Sequence, residues 1–156
     1  MRRFLVTAAP LVALAACATG GPPPRMELSA TLTGQQSVPG PGDQDGTGTF
    51  RARVDSDNGQ VCWELNARGI DPATSAVIHR GDAGMAGTPV VPLTAPDASG
   101  RSEGCVAVAR DLAAEMITRP HGFHVNVSNG GFAQSAIRGQ LRGDPRRGQF
   151  RSRSGN

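Results

Sequence analysis

His121-Gly-Phe-His-Val-Asn-Val-Ser-Asn-Gly-Gly-Phe-Ala-Gln-Ser-Ala-Ile-Arg-Gly-Gln-Leu141 is the stretch on which the fold turns. Phe123, Val125 and Val127 alternate with His124, Asn126 and Ser128, the two-residue period of a half-buried strand. Ile137, Gly139 and Leu141 alternate with Ala136, Arg138 and Gln140 in the same way. Ser128-Asn-Gly-Gly between them is turn chemistry, rich in residues that tolerate positive φ. The stretch reads as a hairpin with one apolar and one polar face. The polar face carries His124, Asn126, Arg138 and Gln140.

Outward from the hairpin, the same period recurs. It appears in residues 27–33, 47–54, 60–66, 76–80, 89–93 and 101–109. Asn58-Gly59 separates the second and third runs and is a strong hairpin signal. In residues 60–66, Val61, Trp63 and Leu65 share the face assigned to the core, and Cys62 and Glu64 share the other. Pro92 belongs at a sheet edge or a bulge. Residues 34–46 form a loop; Asp43 and Asp45 before Gly46 faintly resemble a calcium loop, but the later ligands are missing and a solvated turn is expected. Residues 81–87 are a glycine-rich loop that matches no nucleotide-binding fingerprint. Residues 111–116 are the one helix-like window, and Pro120 stops anything longer. The chain has 156 residues, 21 Gly and 12 Pro, and its hydrophobic content of 38% includes few aromatics. The expectation is a single all-β domain: an antiparallel β-sandwich of about eight strands with at most one short helix, its interior built of Val, Leu, Ile and Ala.

Met1-Arg-Arg followed by the apolar run 4–16 is a leader too short to span a bilayer. It ends Leu14-Ala15-Ala16-Cys17, which resembles the lipobox of bacterial lipoproteins; the alternative is an ordinary secretory signal with an incidental cysteine. The resemblance implies that residues 1–16 are removed and that Cys17 carries lipid, anchoring the chain to the bilayer. Ala18 after Cys17 implies sorting to the outer membrane of a cell that has one. Residues 17–26 then form a Pro/Gly tether, 27–142 the domain, and 143–156 a disordered Arg-rich tail. In an oxidising compartment, Cys62 and Cys105 are the remaining pair, and a disulfide between them is expected on the outer face or at an edge. Of the net charge of +3, the leader supplies +2 and the tail +3, so the body carries −2. That balance does not point to nucleic acid.

Gln35-Gln-Ser-Val-Pro39, Gly46-Thr-Gly-Thr-Phe50, Ala76-Val-Ile-His-Arg-Gly81, Pro89-Val-Val91, Val125-Asn-Val127 and Ile137-Arg-Gly-Gln-Leu141 resemble, in this order, the chordin (CHRD) domain. The resemblance implies a β-sandwich comparable with immunoglobulin-like or copper/zinc superoxide dismutase folds. It also implies a binding role and no catalysis, as in chordin, which captures growth factors. The chain departs from the family where His-x-His is common and only His79 stands here. It departs again at Ser128, where a His is common, and at Ala136, where a Glu is common.

His79 points the same way as Val77. If that face meets the polar face of the hairpin, His79 joins Asn126 and Arg138 in a site for a small anion or peptide, with Arg138 as bidentate donor. The alternative is a hydrogen-bonded patch that fixes strand register. A metal needs three or four converging ligands, while the chain has 3 His, of which His121 and His124 point to opposite faces. No cofactor is expected. No Gly-x-Ser-x-Gly, HExxH or P-loop occurs, and Glu64, Glu103 and Glu115 have no context marking them as catalytic. Arg146, Arg147, Arg151 and Arg153 of the tail suit solubility, or contact with lipid phosphates or anionic polysaccharide. The leading expectation is therefore a non-enzymatic envelope lipoprotein that binds an envelope or extracellular protein or polysaccharide. The alternative is a metal- or small-ligand-binding module using His79, Asn126 and Arg138, with a hydrolase as a third class.

Overall fold

The structure is a computed structural model that describes residues 25–143. The leader, Cys17 and the tail from 144 onward lie outside the described residues. Nine strands run in chain order: β1 (Arg25–Thr33), β2 (Thr47–Asp55), β3 (Gln60–Arg68), β4 (Ala73–Arg80), β5 (Thr88–Leu93), β6 (Arg101–Ala107), β7 (Phe123–Asn129), β8 (Ile137–Gln140) and β9 (Arg142–Gly143). One helix, α1 (Arg110–Thr118), lies between β6 and β7. Every pairing is antiparallel, and the order across the sheet is β5-β4-β7-β8-β1-β2-β3-β6, with β9 pairing β1. The fold is all-β, as the alternation predicts. The first strand begins two residues before the expected start of the domain, because Arg25 and Met26 pair with Asp55 and Val54. The strand count rises from about eight to nine, because Arg142 and Gly143 add a short strand against Ser29 and Leu28.

The two halves β5-β4-β7-β8 and β1-β2-β3-β6 enclose one core and are hydrogen-bonded to each other through β8 and β1. Leu28, Leu32, Phe50, Val54, Val61, Trp63 and Leu65 face it from one half, and Ile78, Val91, Phe123, Val125, Val127 and Ile137 from the other. Each fully buried large side chain stabilises the fold by roughly 1.5–3 kcal/mol, so the alternation expected from the sequence supplies most of the driving force. The β8–β1 junction is narrow, with Thr33 opposite Arg138. Gly139 lies beside it because a Cβ there would sit 2.5 Å from the Thr31 carbonyl oxygen. In α1, Ala113, Met116 and Ile117 recur on one face and are buried, and the chain turns out of the helix at Arg119-Pro120.

Local chemistry holds the hairpins. The β2–β3 turn spans four residues, not two, and of Asn58 and Gly59 only Gly59 has positive φ, at 60°. Asp55 secures it: Oδ1 accepts from the Asn58 backbone N–H, and Oδ2 accepts from Asn58 Nδ2 and from Arg25 Nε at 2.6 Å. The Arg25 hydrogen bond, helped by those from Asn58, holds the Asp55 carboxyl down at about 2. Trp63 lies over Gly104, where a Cβ would come within 2.9 Å of the ring. Its Nε1 donates to Ser102 Oγ, which donates to the Thr94 carbonyl. Pro89 and Pro92 are on the edge strand β5, where a missing N–H costs nothing to the ladder and discourages further pairing.

Cys62 and Cys105 form a disulfide between directly opposite residues of β3 and β6, Cα atoms 4.0 Å apart. Cys62 is half-buried and Cys105 exposed, so the bridge is on the outer face, opposite Val61, Trp63 and Leu65. It ties the edge strand β6 to the sheet and closes a sequence separation of 43. Replacing both cysteines, Cys62→Ala with Cys105→Ala, is expected to lower unfolding free energy by about 2–4 kcal/mol with the β-type circular dichroism spectrum retained. Urea denaturation of the double variant beside the wild type measures this, and an unchanged midpoint would contradict it.

Candidate functional site

The site is built on three neighbouring strands, β4, β7 and β8. His79 on β4 is opposite His124 on β7, which is opposite Gln140 on β8; Val77, Asn126 and Arg138 form the next row. The structure therefore brings together all five residues expected on the polar face: His79, His124, Asn126, Arg138 and Gln140. The His79 and His124 rings stack with centroids 5.2 Å apart and planes 20° apart.

The expected half-exposed hairpin is corrected in one respect: every residue of β7 is buried. The apolar side of β7 faces the core, and loops cover its polar side. Residues 81–87 pass over His124, and a Cβ on Gly87 or Gly81 would come within 2.9 or 3.3 Å of His124 Cε1. Gly87 also has φ of 72°, so glycine is required there on both counts. The loop's carbonyls meet the polar face. Gln140 Nε2 donates to Gly81 O at 2.9 Å and also lies within hydrogen-bond distance of the His121 and Phe123 carbonyls. Arg138 Nη2 donates to Asp82 O at 3.1 Å. Asn126 serves a second loop: its Nδ2 donates to Gln134 O at 2.6 Å, and its Oδ1 accepts from Ser135 Oγ, which lies 2.7 Å from Ser37 Oγ. Asn126 therefore holds the 130–136 connection.

His124 Nδ1 is 3.1 Å from Gly81 O and 3.2 Å from Arg138 Nη2. One nitrogen cannot donate to the first and accept from the second. The ring has a second backbone acceptor on Ala86, and a proton on Nδ1 would point at a guanidinium. We assign Nδ1 as the acceptor from Arg138, with the proton on Nε2. Burial lowers the pKa of His124 to about 4; the Arg138 and His79 charges add to that, and backbone acceptors on Gly81 and Ala86 oppose it. His79 is also lowered, first by burial and then by Arg138, against a backbone acceptor on Gly87. Arg138 is only 2% exposed, and burial lowers its pKa. Its bonded acceptors are a carbonyl and an imidazole, and among the described residues no ion pair involves it.

Sequence reasoning finds the side chains of this face and misses what they hold. The carbonyls of Gly81 and Asp82, the hydroxyls of Ser37 and Ser135 and the Gln134 carbonyl carry no side-chain signature. The spacing Gly81, Gly84, Gly87 is the one available signal of a loop that packs close. Among the described residues no three His, Cys, Asp or Glu converge as metal ligands, and Asp43 Oδ1 accepts from the Asp45 N–H within its own turn. A groove of about 460 Å³ lies elsewhere, between residues 67–73 and 96–100, and none of the five residues lines it.

Neutral, buried histidines make stability depend on pH with a definite sign. The folded-state pKa of His124 lies below the unfolded value near 6.5, so the unfolded chain binds more protons between about 4 and 6.5. Its contribution is fully present above pH ~6.5 and is lost as pH falls toward ~4, at up to ~1.4 kcal/mol per pH unit. Asp55 acts in a separate window, below pH ~4. Denaturation midpoints at pH 7.5, 5.5 and 4.5 are expected to fall in that order, and His124→Gln to flatten the slope whatever it does to the midpoint at pH 7.5. An equally steep slope in the variant would place the titrating group elsewhere.

The CHRD domain family matches residues 28–141, which is the span from the first core residue of β1 to the end of the β7–β8 hairpin. The comparisons with curated proteins and with solved structures return no match. The matched span covers most of the chain and includes the whole polar face and both loops that it holds, and the chain belongs to the CHRD domain family.

Proposed function

We propose that this chain is a non-enzymatic lipoprotein of the cell envelope, held to the bilayer through Cys17 and presenting its CHRD domain as a binding or adhesion module. The leader and its Leu14-Ala15-Ala16-Cys17 ending support the anchor. One observation carries the binding role: Asn126, Gln140 and Nη2 of Arg138 are bonded to the protein's own loops, and the 81–87 loop so held is displayed outward. Residues 82–87 are exposed, and Met85, 61% exposed, is the large hydrophobic side chain left in solvent among the described residues. An adaptable thioether on a braced loop is suited to entering an apolar pocket of a partner. The proposed partner is an envelope or extracellular protein or polysaccharide. The metal-binding alternative is disfavoured by charge: a cation at His124 would stand beside the Arg138 guanidinium, 3.2 Å from Nδ1.

Two measurements test the two halves of the proposal. Cells fed labelled palmitate are expected to label the wild type and retain it in the membrane fraction, while Cys17→Ser takes no label and leaves that fraction; a labelled or membrane-retained variant defeats the anchor. Binding of the purified chain to envelope preparations is expected to drop at least about tenfold in Met85→Asp and to be unchanged in Glu64→Gln, on the outer face of β3. Equal loss in both, or in neither, defeats the assignment to the loop.

A further inference from the structure

We propose that Arg138 is the floor of a binding site for a small carboxylate monoanion, with the 81–87 loop as a roof that the ligand displaces. This stands apart from the adhesion reading, which needs the loop closed and its tip exposed. The first observation is Arg138 Nη1, which is buried with no hydrogen-bond partner. Nη2 is matched only by a neutral carbonyl and an imidazole nitrogen. A guanidinium stays charged in a protein, and a buried charge without a counter-charge is costly. A carboxylate supplies both what Nη1 lacks and a charged replacement for Asp82 O at Nη2, in the planar two-bond geometry a guanidinium favours.

The surroundings select among anions. The site holds one formal positive charge, since both histidines are neutral at pH 7 by the burial argument above. A monoanion neutralises it, whereas a dianion would leave a net negative charge in the same dry space. His79 Nδ1 is the second unpartnered atom of the cluster. The roof can yield: Gly84 and Gly87 sit at positive φ, and the turn across the loop is made by one internal bond, Met85 N–H to Asp82 O at 3.1 Å. The bonds to be exchanged are those from Arg138 to Asp82 O and from Gln140 to Gly81 O, together with the backbone acceptors that Ala86 and Gly87 offer to His124 and His79.

The test is calorimetric titration of the full chain at pH 7 with sodium formate, sodium chloride holding ionic strength constant, and with sulfate, a dianion at this pH, as a second arm. Saturable formate binding is expected, with sulfate at least about tenfold weaker and formate weakened at least about tenfold in Arg138→Gln. In Gly87→Ala the new Cβ would press on the Arg80 carbonyl oxygen and His124 Cε1 and loosen the roof. Formate is therefore expected to bind it more tightly than the wild type, which keeps the proposal testable if Arg138→Gln does not fold. Formate heats no different from chloride dilution in both the wild type and Gly87→Ala overturn the site. Equal affinity in Arg138→Gln overturns the role of the guanidinium, and equal binding of sulfate overturns the selectivity.

Discussion

A guanidinium at 2% exposure, with no carboxylate bonded to it, is the constraint around which this domain is arranged. Arg138 cannot shed its proton to escape the cost of burial. It must find acceptors, and the domain brings them from a distance of 56 residues in sequence, as the carbonyl of Asp82. His124 becomes an acceptor for the same reason: a proton on Nδ1 would face the guanidinium. Gln140 then takes over Gly81 O, and the loop is fixed at its entry. The tautomer of one residue and the anchoring of the loop at Asp82 both follow from one buried charge.

The strands and their facing side chains are legible in the sequence because water and core demand opposite chemistries of alternate residues. Val61, Trp63 and Leu65 against Cys62 and Glu64 is enough to place the disulfide on the outer face. The register, Val125 opposite Gly139 and Asn126 opposite Arg138, is not legible: Ser128 and Asn129 belong to the strand, and the longer 130–136 connection sets the pairing. Nor is the burial of β7 on its polar side. Period two says that one face differs from the other; it does not say that the second face meets water. Here that face meets carbonyls of loops 81–87 and 130–136, and a backbone carbonyl is the same group whatever the residue. Loop closure over a polar floor therefore leaves only indirect traces, such as glycine where a Cβ would strike an imidazole.

The same physics separates the two readings of the polar cluster weighed from the sequence, ligand site and register-fixing patch. Asn126 is on the structural side: both ends of its amide are engaged with the loop that joins β7 to β8, and Ser37 ties that loop to the β1–β2 connection. Arg138 and His79 are different, because each keeps a buried polar atom with no partner. A patch evolved only to hold register would gain from satisfying them, since an unmatched buried donor costs roughly 1–3 kcal/mol. The division runs through the row that Asn126 shares with Arg138: Asn126 is closed, while Arg138 and His79 are incomplete.

That incompleteness also bears on catalysis. A general base works best when its pKa is near the working pH, and His124 is driven to about 4 by burial and a neighbouring cation. No carboxylate orients either imidazole among the described residues; their partners are backbone, each other and Arg138. An environment that holds histidine neutral and weakly basic beside a fixed positive charge is poor at moving protons and good at attracting one negative group. The electrostatics of the cluster therefore favour recognition over turnover, in the same direction as the binding role proposed for the domain as a whole.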